Sequence, residues 1–367
     1  MASRGEVRRG DGAPLREPWR GAIIGLGNVA VHGHLPGWIS RDDVEIVAAT
    51  DARSSRRAEC EARLPGVPWY DSAETLLAGA EPDFVDICTP PSSHAVLIRQ
   101  ALANGRHVLC EKPLVGSLAE LREILELAAE AGRVLHTVHN WHHAPIVQQA
   151  CQLVGAGAIG RVTHATWQTL RTQPAATAEA ADNWRVDPRI AGGGVLTDHG
   201  WHATYLLHRW IGAAPTALAA RLETRRHTRW PVEDTATLRL RFPHATADVF
   251  LTWAADERRN RVRLAGTDGS LELDDDALVL TSGGAQRRWS FASGLSDGSH
   301  HPEWFHAVAD RFLAEVTAGA AEGTNLAEAS VCVAVDTAAR ESSRRGGDER
   351  PLSIPAVTGL ARPEPSR

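Results

Sequence analysis

The chain has 367 residues, 43% of them hydrophobic and 23% charged, and a formal net charge of −6. Such a composition suits an ordinary globular protein with room for two separate cores, and charge spread this evenly leaves no basic footprint for nucleic acid. No apolar run approaches the roughly 20 residues that a membrane-spanning helix needs, so a membrane is not an expected partner either.

Residues 1–19 are charged and turn-rich, and are expected to be a disordered tail. Arg8-Arg9 could open an export signal, but the apolar residues 21–30 are better used as a first strand and its turn, so a cytoplasmic location is expected. Cys60, Cys88, Cys110, Cys151 and Cys332 are scattered and never in CxxC spacing, the pattern of buried reduced thiols. Apolar, β-rich runs at 21–25, 45–50, 84–88, 108–110 and 134–138 alternate with helical runs at 30–39, 54–63, 94–104 and 118–131. This alternation predicts an α/β unit over 20–142 with a parallel, doubly wound sheet. Beyond 143 the pattern changes. Helices at 146–154 and 192–210 accompany long β runs at 162–171, 217–227, 235–242, 245–254, 261–265 and 270–273, with turn signals between them. These predict a second α/β domain over 143–345 with a large, mostly antiparallel open sheet, closed by helices at 303–316 and 327–342. The small, polar segment 171–184 is expected to form a loop over the substrate, and 346–367 a flexible tail.

The first strand runs into Gly25-Leu26-Gly27-Asn28-Val29-Ala30, a G-x-G-x-x-A turn. The first glycine permits the tight turn, and the second lets a pyrophosphate approach the backbone. The small third residue lets the next helix pack closely. Asp51 follows 24 residues after Gly27, at the end of the next strand, where it can accept hydrogen bonds from a ribose. The context is that of a Rossmann dinucleotide-binding domain, with NAD favoured over NADP. Arg53, two residues on, could still pair with a 2′-phosphate.

Of 39 lysines and arginines only one is lysine, Lys112. Arginine serves most solvated roles equally well, but it cannot supply a compact ammonium. Lys112 stands in Cys110-Glu111-Lys112-Pro113, after a strand. With the run Thr89-Pro90-Pro91-Ser92-Ser93-His94 before it, and Asn183-Trp184-Arg185, Asp187-Pro188 and Gly192-Gly193-Gly194-Val195-Leu196-Thr197-Asp198-His199-Gly200-Trp201-His202 beyond, the chain resembles the glucose–fructose oxidoreductase and inositol dehydrogenase (Gfo/Idh/MocA) family over roughly 20–345. The resemblance implies a hydride transfer between nicotinamide and an alcohol or ketone carbon of a sugar, cyclitol or related polyol. It also implies a homodimer or homotetramer built on the outer side of the second sheet. It places Thr89, Pro90, His94, Glu111, Asn140, Trp184 and Arg185 around the cofactor, and His142 and His199 beside the substrate. His202 becomes the general acid/base, Asp198 its orienting partner four residues earlier on a helix, and Lys112 a donor to the reacting oxygen.

Two departures stand out. The family motif opening at Asn140 usually continues with arginines, whereas this chain continues Trp141-His142-His143-Ala144-Pro145, which points away from an acidic sugar. Three residues after the histidine the family usually carries aspartate; here stands Tyr205, expected to be structural. Other readings compete. Asp198 and His202, with His142, His143, His199, His300 and His301 available, could hold a metal, but the second signature already accounts for the pair and no metal is expected. A non-catalytic NAD(P)-binding sensor on this fold would not need Lys112, Asp198 and His202 together. An enzyme that retains NAD and uses transient oxidation for elimination or glycosidic cleavage would use the same three residues.

Overall fold

The computed structural model describes residues 17–176, 183–319 and 323–357. Most of the expected N-terminal tail, the middle of the 171–184 segment and the last ten residues lie outside the described residues. No helix among the described residues is long and apolar enough to cross a membrane.

The first sheet holds β1 (Trp19–Ile24), β2 (Val44–Thr50), β3 (Phe84–Ile87), β4 (His107–Cys110) and β5 (Leu135–Thr137), all parallel, in the order β2-β1-β3-β4-β5. β3, β4 and β5 are buried along their whole length, as expected of parallel strands covered on both faces. The covering helices are α1 (Leu35–Ile39), α2 (Arg57–Arg63), α3 (Ala73–Ala80), α4 (His94–Ala103) and α5 (Leu118–Ala131). α5 has the most explicit ends: Ser117 Oγ accepts from the Glu120 amide while Glu120 accepts from the Ser117 hydroxyl, and Gly132 closes it at φ 59°. α3 was not anticipated, because eight residues are too few for a clear helical period. Strand order reverses at β1, between β2 and β3, and this opens a crevice at the carboxyl ends of the strands.

The second unit adds α6 (Pro145–Gly155), β6 (Val162–Leu170), α7 (Pro188–Ala191), α8 (Trp201–Ile211), β7 (Ala217–Glu223), β8 (Thr235–Arg241), β9 (Thr246–Thr252), β10 (Arg259–Gly266) and β11 (Gly269–Asp274). A hairpin of β12 (Ala277–Ser282) and β13 (Ala285–Ser290) extends it. That hairpin escaped the sequence reading although its turn, Gly283-Gly284, has both residues at positive φ, as a two-residue hairpin turn requires. The nine-stranded order is β13-β12-β11-β10-β6-β9-β8-β7-β14, with β14 at Arg350–Pro351. Every pairing is antiparallel except β6 with β9. Leu238, Leu240, Val249, Leu251, Val262 and Leu264 face the helices, while the other face carries cross-strand ion pairs such as Arg239–Asp248 and Arg263–Glu272.

Two expected boundaries do not coincide with the packing. Arg350–Pro351, expected in a tail, pair with β7. The helix α9 (Pro302–Ala318), expected to close the second domain, buries Phe305, Val308, Ala309 and Phe312 in one core with Ile23, Phe84, Leu109 and Val138 of the first. Its neighbour α10 (Thr324–Arg344) supplies Asn325, whose Oδ1 accepts from the Thr137 amide at 2.8 Å beside β5. A helix late in the chain thus returns to complete the first unit. Phe312 is fully buried and meets Phe84 edge-on at 5.4 Å. Phe312→Ala should therefore cost about 3–5 kcal/mol in denaturant unfolding. A loss below about 1 kcal/mol would contradict this shared core.

Candidate active site

A cavity of about 870 Å³ runs from the β1–β3 crevice to the inner face of the second sheet. Gly25, Gly27, Asn28, Val29, Asp51, Arg53, Thr89, Pro90, Glu111, Lys112, Asn140, Trp184, Arg185, Asp198, His199 and His202 all line it. At the first-unit end Gly25 sits at φ 97°, and a Cβ there would come within 2.9 Å of the Cys88 backbone. A Cβ on Gly27 would meet nothing within 4 Å, so the backbone there borders open space. Asp51 Oδ2 accepts from the Leu26 amide at 2.7 Å and Oδ1 from the Arg53 amide at 2.8 Å, which fixes the carboxylate at the end of β2 with lone pairs to spare. These features fit a dinucleotide: room for a pyrophosphate, then a fixed acceptor for ribose hydroxyls. Ala30 is buried in the core behind this turn, in the packing role expected of it. The helix expected over 30–39 opens as a π-helical turn over Ala30–His34 before α1 begins.

That π turn carries His34 beneath the cavity. His34 Nδ1 meets Asp86 at 2.9 Å and Nε2 meets Glu111 at 3.0 Å, and the ring stacks on Phe305. Burial alone would favour the neutral ring, but Asp86 and its neighbours outweigh it and raise the His34 pKa well above the ordinary value. Burial likewise works against the Glu111 carboxylate, and His34 and Lys112 overcome it and hold its pKa low. Glu111 Oε2 in turn accepts from the Lys112 amide at 2.9 Å.

Lys112, at the end of β4 and joined to Pro113 by a cis peptide, reaches across to the second unit. Its Nζ donates to Asp198 Oδ1 and to the Asp198 carbonyl, each at 2.8 Å. Asp198 Oδ2 lies 3.6 Å from His199 and 3.8 Å from Arg185. Burial pushes the Asp198 carboxyl up, but Lys112, His199 and Arg185 together keep it well below the ordinary range. Gly194 makes this placement possible: a Cβ there would lie 1.9 Å from the Glu233 carbonyl, and its amide donates to Glu233 Oε1 at 2.9 Å.

The expected bond between Asp198 and His202 is not formed. Leu196–Gly200 is a second π-helical turn, and the Asp198 side chain on it is committed to Lys112 instead. His202 is held by others. Its ring stacks on Trp141 at 4.4 Å and 9°, and Nδ1 shares a 3.0 Å hydrogen bond with Tyr205 Oη. Oη also accepts from the Trp141 amide at 3.2 Å. Tyr205, expected to be merely structural, is thus the group that fixes the ring and leaves Nε2 as the free nitrogen. Burial first, then Lys112 and His199, lowers the His202 pKa well below 6.5, so the ring is neutral.

Two residues expected at the ligands lie behind the walls. His94 is fully buried, tied to the Thr89 and Pro113 carbonyls at 2.8 Å each, and shapes two wall loops without lining the cavity. His142 turns away to Glu328 at 2.8 Å, an oxygen that His139 also meets at 3.2 Å. His139, His142 and Glu328 form one group of metal-ligand types, and His34, Asp86 and Cys88 another. Their imidazole–carboxylate separations of 2.8–3.2 Å are those of a shared proton. The sequence reading missed Arg171 and Arg258, which line the cavity from the strand ends of the second sheet. No motif marks them. The described ends of the expected loop do reach the cavity: the Asn28 side chain donates to the Ala176 carbonyl at 3.3 Å and Asn183 to that of Ala175 at 3.0 Å.

The tyrosine–histidine bond has a direct readout. In nitrogen-15 spectra of histidine-labelled protein, Tyr205→Phe should shift the His202 ring nitrogens and leave the other histidines in place. Unchanged His202 resonances would contradict the bond.

Comparison with known proteins follows the same division. A family profile described as "Oxidoreductase family, NAD-binding Rossmann fold" matches residues 19–139, and one described as "GFO/IDH/MocA C-terminal domain" matches 147–272. D-Glucoside 3-dehydrogenase of Escherichia coli (strain K12) is 32% identical over 194 residues, 52% of this chain and 53% of that protein. Trans-1,2-dihydrobenzene-1,2-diol dehydrogenase of Oryctolagus cuniculus is 30% identical over 242 residues, 64% of this chain and 69% of that protein. The matched part thus spans little more than half the length of some curated relatives. The crystal structure of aldose-aldose oxidoreductase from Caulobacter crescentus, complexed with glycerol, superposes with a TM-score of 0.79 over 92% of this chain and all of that one. At 24% identity this likeness speaks for the fold alone. With a Rossmann unit, an open-sheet second unit and both signatures facing one cavity, the chain belongs to the Gfo/Idh/MocA oxidoreductase family.

Proposed function

We propose that the protein is an NAD-dependent oxidoreductase acting on an alcohol or ketone carbon of a sugar, cyclitol or related polyol. The observation that carries this reading is the convergence of Lys112, Asp198 and His202 on the cavity that Gly25, Gly27 and Asp51 open at its other end. The nicotinamide, when bound, supplies the capacity to take or give a hydride. The protein's own residues handle the accompanying proton and charge. His202, neutral and with Nε2 free, takes the hydroxyl proton during oxidation or returns it during reduction. Lys112 donates to the reacting oxygen and stabilises its developing negative charge. Asp198, ionised by its cationic neighbours, aims the ammonium. Trp141 holds the imidazole plane, and the Arg185 guanidinium lies 4.3 Å over the Trp184 ring at the cavity wall. Asp51 supports a preference for NAD, since its fixed carboxylate repels a 2′-phosphate. A homo-oligomer built on the outer sheet face would use its ion-paired strands, Arg239–Asp248 among them.

Lys112→Ala and His202→Ala should each lower turnover about 10²–10⁴-fold while NAD affinity, read by tryptophan quenching, stays within a few-fold of the parent. Wild-type turnover in either variant would remove that residue from the mechanism. A histidine whose folded pKa is depressed stays deprotonated until the pH falls through that lowered value. The acid limb of kcat/KM should therefore lie below pH 6.5; a limb at or above it would contradict a buried neutral base.

A further inference from the structure

Several arginines elsewhere on this fold are matched to carboxylates. Arg259 meets Asp274 at 2.6 Å, Arg239 meets Asp248 at 2.7 Å, Arg263 meets Glu272 at 3.0 Å, and Arg340 meets Asp336 at 2.8 Å and Glu233 at 3.2 Å. The substrate end of the cavity gathers arginines that are not matched in this way. Arg171, Arg185 and Arg258 all line it, and the acids that reach it already have partners: Asp198 is taken by Lys112 and Glu111 by His34.

Arg171, which follows β6, is the sharpest case, with only 2% of its surface exposed. Its Nη1 donates to the Leu170 and Arg259 carbonyls at 2.7 and 3.1 Å, and Nη2 to Asn260 Oδ1 at 3.3 Å. Its buried Nε has no hydrogen-bond partner, and among the described residues no carboxylate lies within 4 Å of the guanidinium. Arg258 likewise donates to neutral oxygens, the carbonyls of Ser296 and Gly298. Arg185 keeps a buried, unpartnered Nε at 3.8 Å from the already committed Asp198. Fixed positive charge at a buried position is costly unless something neutralises it. A guanidinium whose local bonds are all to neutral groups retains its full charge for a partner, and its planar fork suits an oxyanion.

The cofactor's own phosphates do not account for this. The room for them lies at Gly25–Gly27, whereas Arg171 and Arg258 line the cavity with Asp198 and His199, and add to burial in depressing the His199 pKa. Positive charge that the 140–145 segment lacks is therefore brought to the cavity from the ends of β6 and β10. We infer that the substrate is an acidic sugar, a polyol bearing a carboxylate that is received by Arg171 and Arg258 while its reacting hydroxyl lies at Lys112 and His202. This rests on the oxidoreductase reading and narrows its substrate class, reversing the expectation drawn from residues 141–145.

The test compares acids with their neutral counterparts on the NAD-loaded protein. Dissociation constants for D-glucuronate, D-galacturonate and D-gluconate would be measured by tryptophan fluorescence beside those for D-glucose, D-galactose and D-glucitol. At least one acid should bind ten-fold or more tighter than its neutral partner, and Arg258→Gln should erase most of that preference. Arg171→Met should do the same where it folds; Arg258, on the cavity rim, keeps the test open if it does not. The inference is overturned if no acid outbinds its neutral partner, or if the preference survives both substitutions. NAD affinity, titrated first on the same samples, keeps the two readings apart. Failure to bind NAD sinks the oxidoreductase reading itself, while normal NAD binding without acid preference sinks only the acidic substrate.

Discussion

The salt bridge between Lys112 and Asp198 is the contact on which the site is built. It joins the end of a parallel strand in one unit to a π-helical turn in the other, and it lies within the cavity between them. Lysine suits this place because a compact ammonium can satisfy a side-chain oxygen and a carbonyl from one residue while still presenting a proton to a third group. A guanidinium would need a wider, planar berth. This explains why a chain that uses arginine everywhere else retains lysine here.

Around that bridge the charges are layered. Beneath it, His34 is held between Asp86 and Glu111, so one imidazole is shared by two buried acids and Glu111 can brace the Lys112 backbone. Above it, His199 and His202 are kept neutral by burial and by the nearby ammonium, with His199 pushed down to about 3. The same low dielectric that disfavours a charged imidazole strengthens the pull of Lys112 on any oxygen placed beside it. Tyr205 completes the arrangement. A phenol fixes Nδ1 of His202 without placing a negative charge there, so the ring is positioned but its basicity is not raised as a carboxylate would raise it.

Much of this could be read from the sequence, and the failures have physical causes. The β-α alternation, the G-x-G-x-x-A turn, Asp51 and the lone lysine are local signals, and Gly25, Gly27, Asp51 and Lys112 all line one cavity. The i, i+4 spacing of Asp198 and His202 misled because a shared face does not fix a bond: Asp198 is taken by Lys112 from a distant strand end, and His202 by Tyr205 and Trp141. The domain boundary misled because α9 returns from far along the chain to bury Phe305 and Phe312 in the first unit. His142 sits inside the expected motif yet faces Glu328, a partner on a distant helix that sequence spacing does not reveal. Arg171 and Arg258 carry no motif at all; only the sheet brings their charges together.

The most direct test of the central claim is to identify any nicotinamide released when the purified protein is denatured, and then to titrate the remaining native protein with NAD and NADP. The account predicts retained NAD, or empty protein that binds NAD more tightly than NADP. Protein that neither carries nor binds either dinucleotide would contradict it.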